Sequence, residues 1–188
     1  MVVAANRFRR LRGVTLRLLP PGAFTGFLGA LCIPDELYWL QRQPVAVAGM
    51  KAPGRANWEL LAAEGIGHVV CLTGDTARYD PAPCTVTAIK LQDLVSGAPP
   101  NEPERERARV FEAAADVVSH IERGIGVAVH CAGGRGRTGT VLGVALVRMG
   151  HEPEAVITYL DATARARSKS GWPESAWQAG VVRAACSE

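Results

Sequence analysis

Cysteine is scarce in this 188-residue chain and follows no paired pattern. There are 5 cysteines, at positions 32, 71, 84, 131 and 186, and no two of them form a Cys-x-x-Cys pair. An odd number without paired spacing argues against a disulfide framework and against a structural zinc site. The sequence therefore predicts a reduced, cytoplasmic protein without a structural zinc site.

Long apolar runs and a strong excess of one charge are also missing. No apolar stretch approaches the ~18 residues that indicate a membrane-spanning helix, so no membrane span is predicted. The formal net charge is +3, which is too small to indicate nucleic acid as a partner. The basic segment around Arg9 and Arg10 is followed by Arg17 and by Pro20, so we interpret it as a basic arm rather than an export signal.

The remaining composition is that of an ordinary globular domain. Apolar residues make up 48% and charged residues 21% of the chain, close to average usage. A chain of 188 residues is long enough to bury one substantial core. We predict a single domain over residues 1–188, in which residues 1–44 are an N-terminal extension without an assigned role and residues 45–188 are the functional core.

Strand and helix patterns alternate along the chain, which predicts an α/β fold with helices flanking a small central mixed sheet. Strand patterns cover residues 14–19, 45–50, 68–73, 84–91 and the apolar run that ends at position 131. Helix patterns cover residues 34–42, 56–64, 101–123, 141–149, 152–165 and 174–185. Asn101 is the expected cap of the third helix, whose apolar face contains Val110, Ala114, Val117 and Ile121.

One stretch, Val127–Thr140, combines an apolar run that ends in His-Cys with a glycine-rich loop and the start of a helix. Arg137 stands six positions after Cys131 and is followed by Thr-Gly. A loop of this length can curl so that its N–H groups surround an anion, assisted by the helix N-terminus. A cysteine at the floor of such a nest is a thiolate nucleophile, and the planar arginine fork can hold two phosphate oxygens.

The pattern His-Cys-x5-Arg-Thr-Gly between a strand and a helix resembles the phosphate-binding loop of the cysteine-dependent protein tyrosine phosphatases, in their small dual-specificity branch. The resemblance extends from about residue 45 to the C-terminus. It implies a metal-free phosphomonoester hydrolase, with no cofactor, that acts through a phosphocysteine intermediate. The implied partners are a phosphorylated protein or another phosphomonoester, with phosphate, sulfate or vanadate also fitting the loop. The implied substrate-binding residues are Ala132, Gly133, Gly134, Arg135, Gly136 and Gln178.

The resemblance also implies a general acid and a supporting hydroxyl. Asp93, thirty-eight residues before Cys131, is the expected acid that protonates the leaving group. Asp75 and Asp80 are the alternatives on the preceding loop. Thr138 is expected to hydrogen-bond the cysteine sulfur, and it also fits the cap of the following helix.

Four further positions are interpreted with alternatives left open. His130 is expected to support the loop through hydrogen bonds rather than to act as a base. Gln178 matches a glutamine near the pocket rim of this branch, although a helix-surface glutamine fits nearly as well. Arg135 is basic as in phosphoinositide phosphatases, but the second basic residue of that pattern is replaced by Ala132. Cys71 is either a buried core cysteine, which we favour, or a thiol that traps the oxidised nucleophile as a disulfide.

Three functions are considered for a domain with this pattern. Hydrolysis of protein phosphotyrosine, with or without phosphoserine and phosphothreonine, is the interpretation that the sequence favours. A phosphoinositide or inositol phosphate phosphatase is the alternative enzyme. A weakly catalytic phosphoprotein-binding module belongs to another class, and the joint presence of cysteine, arginine and acid argues against it. The His-Cys start and the Thr-Gly end argue against an arsenate reductase or a rhodanese.

Overall fold

The computed structural model describes residues 16–21, 23, 26–28, 31–33, 36–53, 58–76, 80–94, 97–167 and 170–186. The basic arm around residues 9–12 lies outside these ranges. The described strands are β1 (Gly26–Leu28), β2 (Leu31–Ile33), β3 (Leu37–Gln41), β4 (Val47–Lys51), β5 (Ile66–Cys71), β6 (Thr85–Ala88) and β7 (Gly126–Cys131). The described helices are α1 (Trp58–Ala63), α2 (Pro103–Glu122), α3 (Gly136–Arg148), α4 (Pro153–Ala166) and α5 (Ala176–Ala184).

Five strands form one sheet in the order β3-β4-β7-β5-β6. β3 pairs antiparallel with β4, whereas β4, β7, β5 and β6 run parallel to one another. The sheet is therefore mixed, and the α/β fold class predicted from the sequence is confirmed. β7 lies at the centre, where Lys51 pairs with Cys131 on one side and Cys71 pairs with His130 on the other.

The central strand is buried along its whole length because helices cover both faces of the sheet. Val127, Val129 and Cys131 belong to the larger core, which the sheet forms with α2, α3, α4 and α5. Ala128 belongs to the smaller core on the opposite face, which contains residues of α1. Side chains alternate between the faces of a strand, so His130 points away from the face that carries Cys131.

The long helices follow the predicted apolar pattern. Val110, Ala114, Val117 and Ile121 of α2 are all buried. The helix cap differs from the expectation, because Glu102 rather than Asn101 occupies the N-cap position and makes no side-chain cap bond. α3 begins at Gly136, five residues before the predicted start, because the end of the glycine-rich loop is already helical. No helix among the described residues is long and apolar enough to cross a membrane.

Two sequence-based element predictions were wrong. A helix was expected over residues 34–42, but Leu37–Gln41 form β3, whose side chains are all buried. Pairing with β4 overrides the local helix signal, as tertiary context commonly does for short apolar segments. A strand was expected over residues 14–19, but the described residues 16–19 form none. They lie beside β3, where the amide of Leu19 donates to the carbonyl oxygen of Leu40 at 2.7 Å.

Candidate active site

The glycine-rich loop lies at the carboxyl end of the central strand. Cys131 ends β7, residues 132–135 form the turn, and α3 begins at Gly136. We call residues 131–137 the phosphate loop. Cys131 is only 3% exposed, whereas Ala132 and Gly133 are exposed. The thiol therefore lies beneath the part of the loop that faces solvent.

Alternate carbonyl oxygens of the phosphate loop are hydrogen-bonded to the protein around it. The oxygen of Ala132 accepts from the amide of Ala52 at 3.1 Å. The oxygen of Gly134 accepts from Nη1 of Arg167 at 3.1 Å, and that of Gly136 accepts from Nε1 of Trp172 at 3.2 Å. In a trans peptide the N–H points opposite to the C=O. Outward carbonyls therefore turn the intervening N–H groups inward, which is the arrangement of an anion nest.

Glycine is required at position 134 by both backbone conformation and space. Its φ of 65° lies in the left-handed region that side-chain-bearing residues rarely adopt. A Cβ at this position would lie 2.5 Å from the amide nitrogen of Lys51. The phosphate loop thus packs directly against the backbone at the end of β4.

The start of α3 forms the rest of the anion nest. Its N-cap is Arg135, with no side-chain cap bond, so the first-turn N–H groups and the positive end of the helix dipole face the loop. Thr138 is fully buried and stands inside the first turn, which rules out the alternative in which it caps the helix. Its hydroxyl has no hydrogen-bond partner among the described residues. The expected bond from Thr138 to the cysteine sulfur stays a prediction.

Arg137 and Asp93 are brought together from segments 44 residues apart. Nη2 of Arg137 lies 2.7 Å from Oδ2 of Asp93, and Nη1 donates to the carbonyl oxygen of Leu91 at 3.3 Å. The side chain of Arg137 is 10% exposed and that of Asp93 is 48% exposed. The sequence-predicted acid therefore contacts the sequence-predicted arginine at the surface of the cradle. Asp80, one of the alternatives, instead accepts the amide of Ala82 at 3.1 Å.

Arg135 is held by an acidic side chain that the sequence analysis did not single out. Its Nε donates to Oε1 of Glu174 at 2.7 Å, and its Nη2 contacts the same oxygen. Its Nη1 contacts the hydroxyl of Ser170. All three guanidinium nitrogens are therefore engaged within the protein, and the charge of Arg135 is compensated.

Gln178 was expected near the pocket rim, with a helix surface as the alternative; its burial excludes the helix surface, and its role at the pocket stays a prediction. It is 1% exposed and forms the capping box of α5 with Ser175. Its Oε1 accepts the amide of Glu174 at 2.8 Å. The side chain lines a small cavity beneath Arg137 and Leu91. Its visible function is to fix the segment that carries Glu174.

A family model for the Swiss Army Knife protein phosphatase domain, of the DSP-PTPase type, matches residues 34–177, more than half of the chain. The chain belongs to this phosphatase family. The membership confirms the resemblance seen in the sequence. No curated protein matches the chain.

Solved structures show the same fold. PTPMT1 in complex with PI(5)P is 17% identical, with 81% of this chain and 96% of that chain covered and a TM-score of 0.60. Kinase associated phosphatase with its catalytic cysteine replaced by serine is 16% identical, with coverage of 80% and 93% and a TM-score of 0.55. P. aeruginosa TpbA in complex with pTyr is 17% identical, with coverage of 83% and 98% and a TM-score of 0.51.

His130 of this phosphatase domain contacts Cys71 rather than the cysteine that follows it in sequence. Burial raises the pKa of Cys71, but hydrogen bonds with His130 and Thr73 outweigh burial and lower that pKa to about 6. Sγ of Cys71 lies 3.3 Å from Oγ1 of Thr73 and 3.6 Å from the carbonyl oxygen of Asp75. A polar cluster thus holds His130 on the far side of the strand from the phosphate loop.

The register in which β5 pairs with β7 overturns the hypothesis of a disulfide between Cys71 and Cys131. Cys71 is the cross-strand neighbour of His130, so its side chain lies on the face of the sheet opposite to Cys131. A disulfide requires Cβ atoms that point toward each other. The favoured alternative, a buried core cysteine, agrees with an exposure of 0% for Cys71.

Arg167 is a site residue that the sequence analysis missed. It is 3% exposed, and its guanidinium carbon lies 4.0 Å from the centroid of the Tyr38 ring while Nη1 binds the phosphate loop. Burial raises the pKa of Tyr38 and the nearby Arg167 only partly offsets this, so the phenol is neutral at physiological pH. Nothing in the local sequence distinguishes Arg167 from the exposed arginines at the end of α4.

The contact between Cys71 and His130 predicts that Cys71→Ala impairs catalysis as well as stability. Loss of the thiol leaves the buried imidazole with fewer partners, which costs roughly 1–3 kcal/mol and loosens the base of the loop. We expect a several-fold lower kcat on a chromogenic phosphate ester. Cys84→Ala is the matched control, because Cys84 is also buried but donates to the carbonyl oxygen of Ile66. Equal kcat in the two variants, after correction for folded fraction, would contradict a role for Cys71 at the loop.

Proposed function

We propose that this domain hydrolyses phosphomonoesters through a phosphocysteine intermediate on Cys131. The observation that carries the proposal is the phosphate loop itself, in which outward carbonyls, inward N–H groups and a helix N-terminus surround a buried cysteine. Such a cradle binds a tetrahedral dianion and keeps the nucleophile aimed at its phosphorus. Phosphoryl transfer needs mainly positioning and charge stabilisation, and this loop supplies both.

In the first step the thiolate of Cys131 attacks phosphorus, the S–P bond forms and the bond to the ester oxygen breaks. Asp93 gives its proton to the leaving oxygen. In the second step the Asp93 carboxylate takes a proton from water, which attacks phosphorus and displaces the thiolate as inorganic phosphate forms. Thr138 supports this departure by donating a hydrogen bond from its hydroxyl to the leaving thiolate.

Arg137 connects the binding of phosphate with the release of Asp93. In the structure its guanidinium is shared between Asp93 and the carbonyl oxygen of Leu91. A phosphate dianion in the loop offers the fork two oxygens and a larger charge, so it draws the guanidinium toward itself. The carboxyl group of Asp93 is then free to reach the leaving oxygen.

Protein phosphotyrosine is the substrate class that the rim of the loop favours. Ala132 and Gly133 expose no charge, and Arg135 is compensated by Glu174, so these three positions of the loop offer no free cation for a second phosphate. The structure of TpbA with pTyr supports this choice, and that of PTPMT1 with PI(5)P keeps a phosphoinositide as the alternative. Cys71, Cys84, Cys131 and Cys186 are free, which suits the reducing cytoplasm.

Cys131→Ser is expected to abolish turnover and to retain binding in the loop. Serine does not ionise at neutral pH, whereas the nest is made of backbone groups that the substitution leaves in place. The measurements are hydrolysis of a chromogenic phosphate ester and calorimetric binding of a phosphotyrosine peptide. Cys186→Ser, which changes an exposed cysteine, is the control and should behave as the wild type. Turnover by Cys131→Ser above the spontaneous hydrolysis measured without enzyme would refute the phosphocysteine step, and loss of peptide binding would refute the nest.

Asp93→Asn is expected to impair hydrolysis according to how much the leaving group needs a proton. On phosphopeptides the first step should slow by the ~10²–10⁴ typical of a positioned acid. On a fluorinated coumarin phosphate, whose leaving group is stable as an anion, the loss should be much smaller. Burst kinetics separate this step from the second. Asp80→Asn is the matched control and should leave both rates unchanged.

The ion pair with Arg137 makes the Asp93 test specific for the acid role. If Asp93 acted only by holding Arg137, its loss would lower the rate of hydrolysis of all substrates by the same factor, because the arginine binds the phosphate group of each substrate in the same way. A uniform loss across leaving groups would therefore assign Asp93 to positioning and move the acid elsewhere.

Arg135→Ala distinguishes the two substrate classes. Because the guanidinium is engaged by Glu174 and Ser170, we expect an equal, several-fold loss on a phosphotyrosine peptide and on PI(5)P, caused by a less rigid loop. Arg107→Ala is the control, because its ion pair with Glu104 lies within α2 and should not affect the loop. A loss confined to PI(5)P would show that Arg135 binds substrate and would favour the phosphoinositide alternative.

A further inference from the structure

A buried carboxylate on α2 contacts the segment that carries Asp93. Glu106 lies in the first turn of α2 and is 6% exposed. Its Oε1 accepts the amide of Gln92, the residue that precedes Asp93, at 2.5 Å. Burying a carboxylate costs free energy unless the group is hydrogen-bonded. The bond to Gln92 therefore offsets the cost of placing Glu106 inside the protein.

The helix dipole alone does not account for the position of Glu106. An acidic side chain in the first turn is favoured by the positive end of a helix, and Glu104 meets this preference with a side chain that is 80% exposed. Glu106 instead reaches inward, where it lines the cavity beneath Arg137. Its Oε2 lies 3.9 Å from Nη1 of Arg109, which is too far for a hydrogen bond. The close contact of this carboxylate is the one with Gln92.

The peptide between Leu91 and Gln92 is held at both ends by charged side chains. Its N–H donates to Glu106, and its carbonyl oxygen accepts from Nη1 of Arg137 at 3.3 Å. The peptide is trans, so its N–H and C=O point in opposite directions. An anion on one side and a cation on the other thus fix the plane of this peptide. Arg137 also contacts Asp93 through Nη2, so the four groups form one continuous series of contacts.

Glu106 is the member of this series that the substrate does not displace. In the proposed reaction, a phosphate group draws Arg137 toward itself and away from Asp93 and the carbonyl oxygen of Leu91. The amide of Leu91 stays bonded to the carbonyl oxygen of Leu72 at 3.1 Å, and the next peptide stays bonded to Glu106. The backbone beside Asp93 therefore keeps an anchor at the moment when its carboxyl group must reach the leaving oxygen.

We propose that Glu106 is a positioning residue for the general acid. It fixes the backbone next to Asp93, so that the carboxyl group remains within reach of the leaving oxygen after Arg137 has turned to the phosphate. Glu106 acts through Gln92 and touches no reacting atom. This inference rests on the acid role proposed above for Asp93, and its test uses the same pair of substrates.

Glu106→Ala should slow the first step according to how much the leaving group needs a proton. On a phosphotyrosine peptide we expect a loss of ~10–10²-fold, because a small misplacement of a reacting group is costly. On the fluorinated coumarin phosphate the loss should be much smaller. Burst kinetics of the full chain give both rates. Glu104→Ala, on the exposed face of the same turn, is the matched control and should leave both rates unchanged.

A control for stability is needed because Glu106 is buried. Val117→Ala removes a buried side chain from the same helix, so it should lower the Tm while leaving the ratio of the two rates at the wild-type value. Glu106→Gln keeps the length of the side chain and its acceptor oxygen, and it should recover most of the loss. Glu106→Asp keeps the charge but is one methylene shorter, so it should show the selective loss even where the alanine variant does not fold.

A double-mutant cycle with Asp93→Asn completes the test. If Glu106 acts by positioning Asp93, adding Glu106→Ala to Asp93→Asn should slow the phosphopeptide reaction little further, because the group that it positions is already lost. Losses that multiply in the double variant, or an equal loss on both esters in Glu106→Ala, would overturn the positioning role and leave the phosphatase proposal standing. Absence of turnover in the wild type would refute the proposed function and the role of Glu106 with it.

Discussion

The phosphate loop keeps its shape because its carbonyl oxygens are bonded to the protein outside it. The donors come from three distant parts of the chain: Ala52 after β4, Arg167 at the end of α4, and Trp172 before α5. Each bond turns one peptide outward and leaves the next N–H facing the anion site. The cradle is therefore a product of the surrounding fold, and the segment between α4 and α5 supports the active site although it carries no reacting group.

The two arginines of the loop differ in the carboxylates that hold them. Glu174, which holds Arg135, is 14% exposed, whereas Asp93, which holds Arg137, is 48% exposed. Solvent screens an exposed ion pair, so such a pair is worth little and a phosphate can displace it. A partly buried pair with further hydrogen bonds is harder to break. This difference lets Arg135 shape the loop while Arg137 remains available to substrate.

Side chains alternate between the two faces of a strand, so the polar and reactive residues at the end of the central strand lie on opposite faces of the sheet. Cys131 faces the larger core and the phosphate loop, whereas His130 and Cys71 meet on the opposite face. The histidine can thus stiffen the base of the loop without reaching the substrate.

Much of the active loop could be predicted from the sequence because its parts are contiguous. Cys131, the glycines and Arg137 lie within seven residues, so the strand, the turn and the helix N-terminus already determine their relative positions. The α/β class followed from the alternation of apolar patterns. Asp93 was predicted as the general acid from its spacing to the cysteine, and the structure places its side chain against Arg137.

The remaining features depend on contacts between distant segments, which local patterns do not encode. Residues 37–41 carry a helix-like start signal but form a strand, because they pair with β4, with one irregularity between Trp39 and Gln41. Glu174 and Arg167 are ordinary surface types in the sequence, and they become site residues when α4 and α5 pack against the loop. Which partner a charged side chain finds across more than thirty residues is decided by the packing of helices on the sheet, since that packing sets the distance between them.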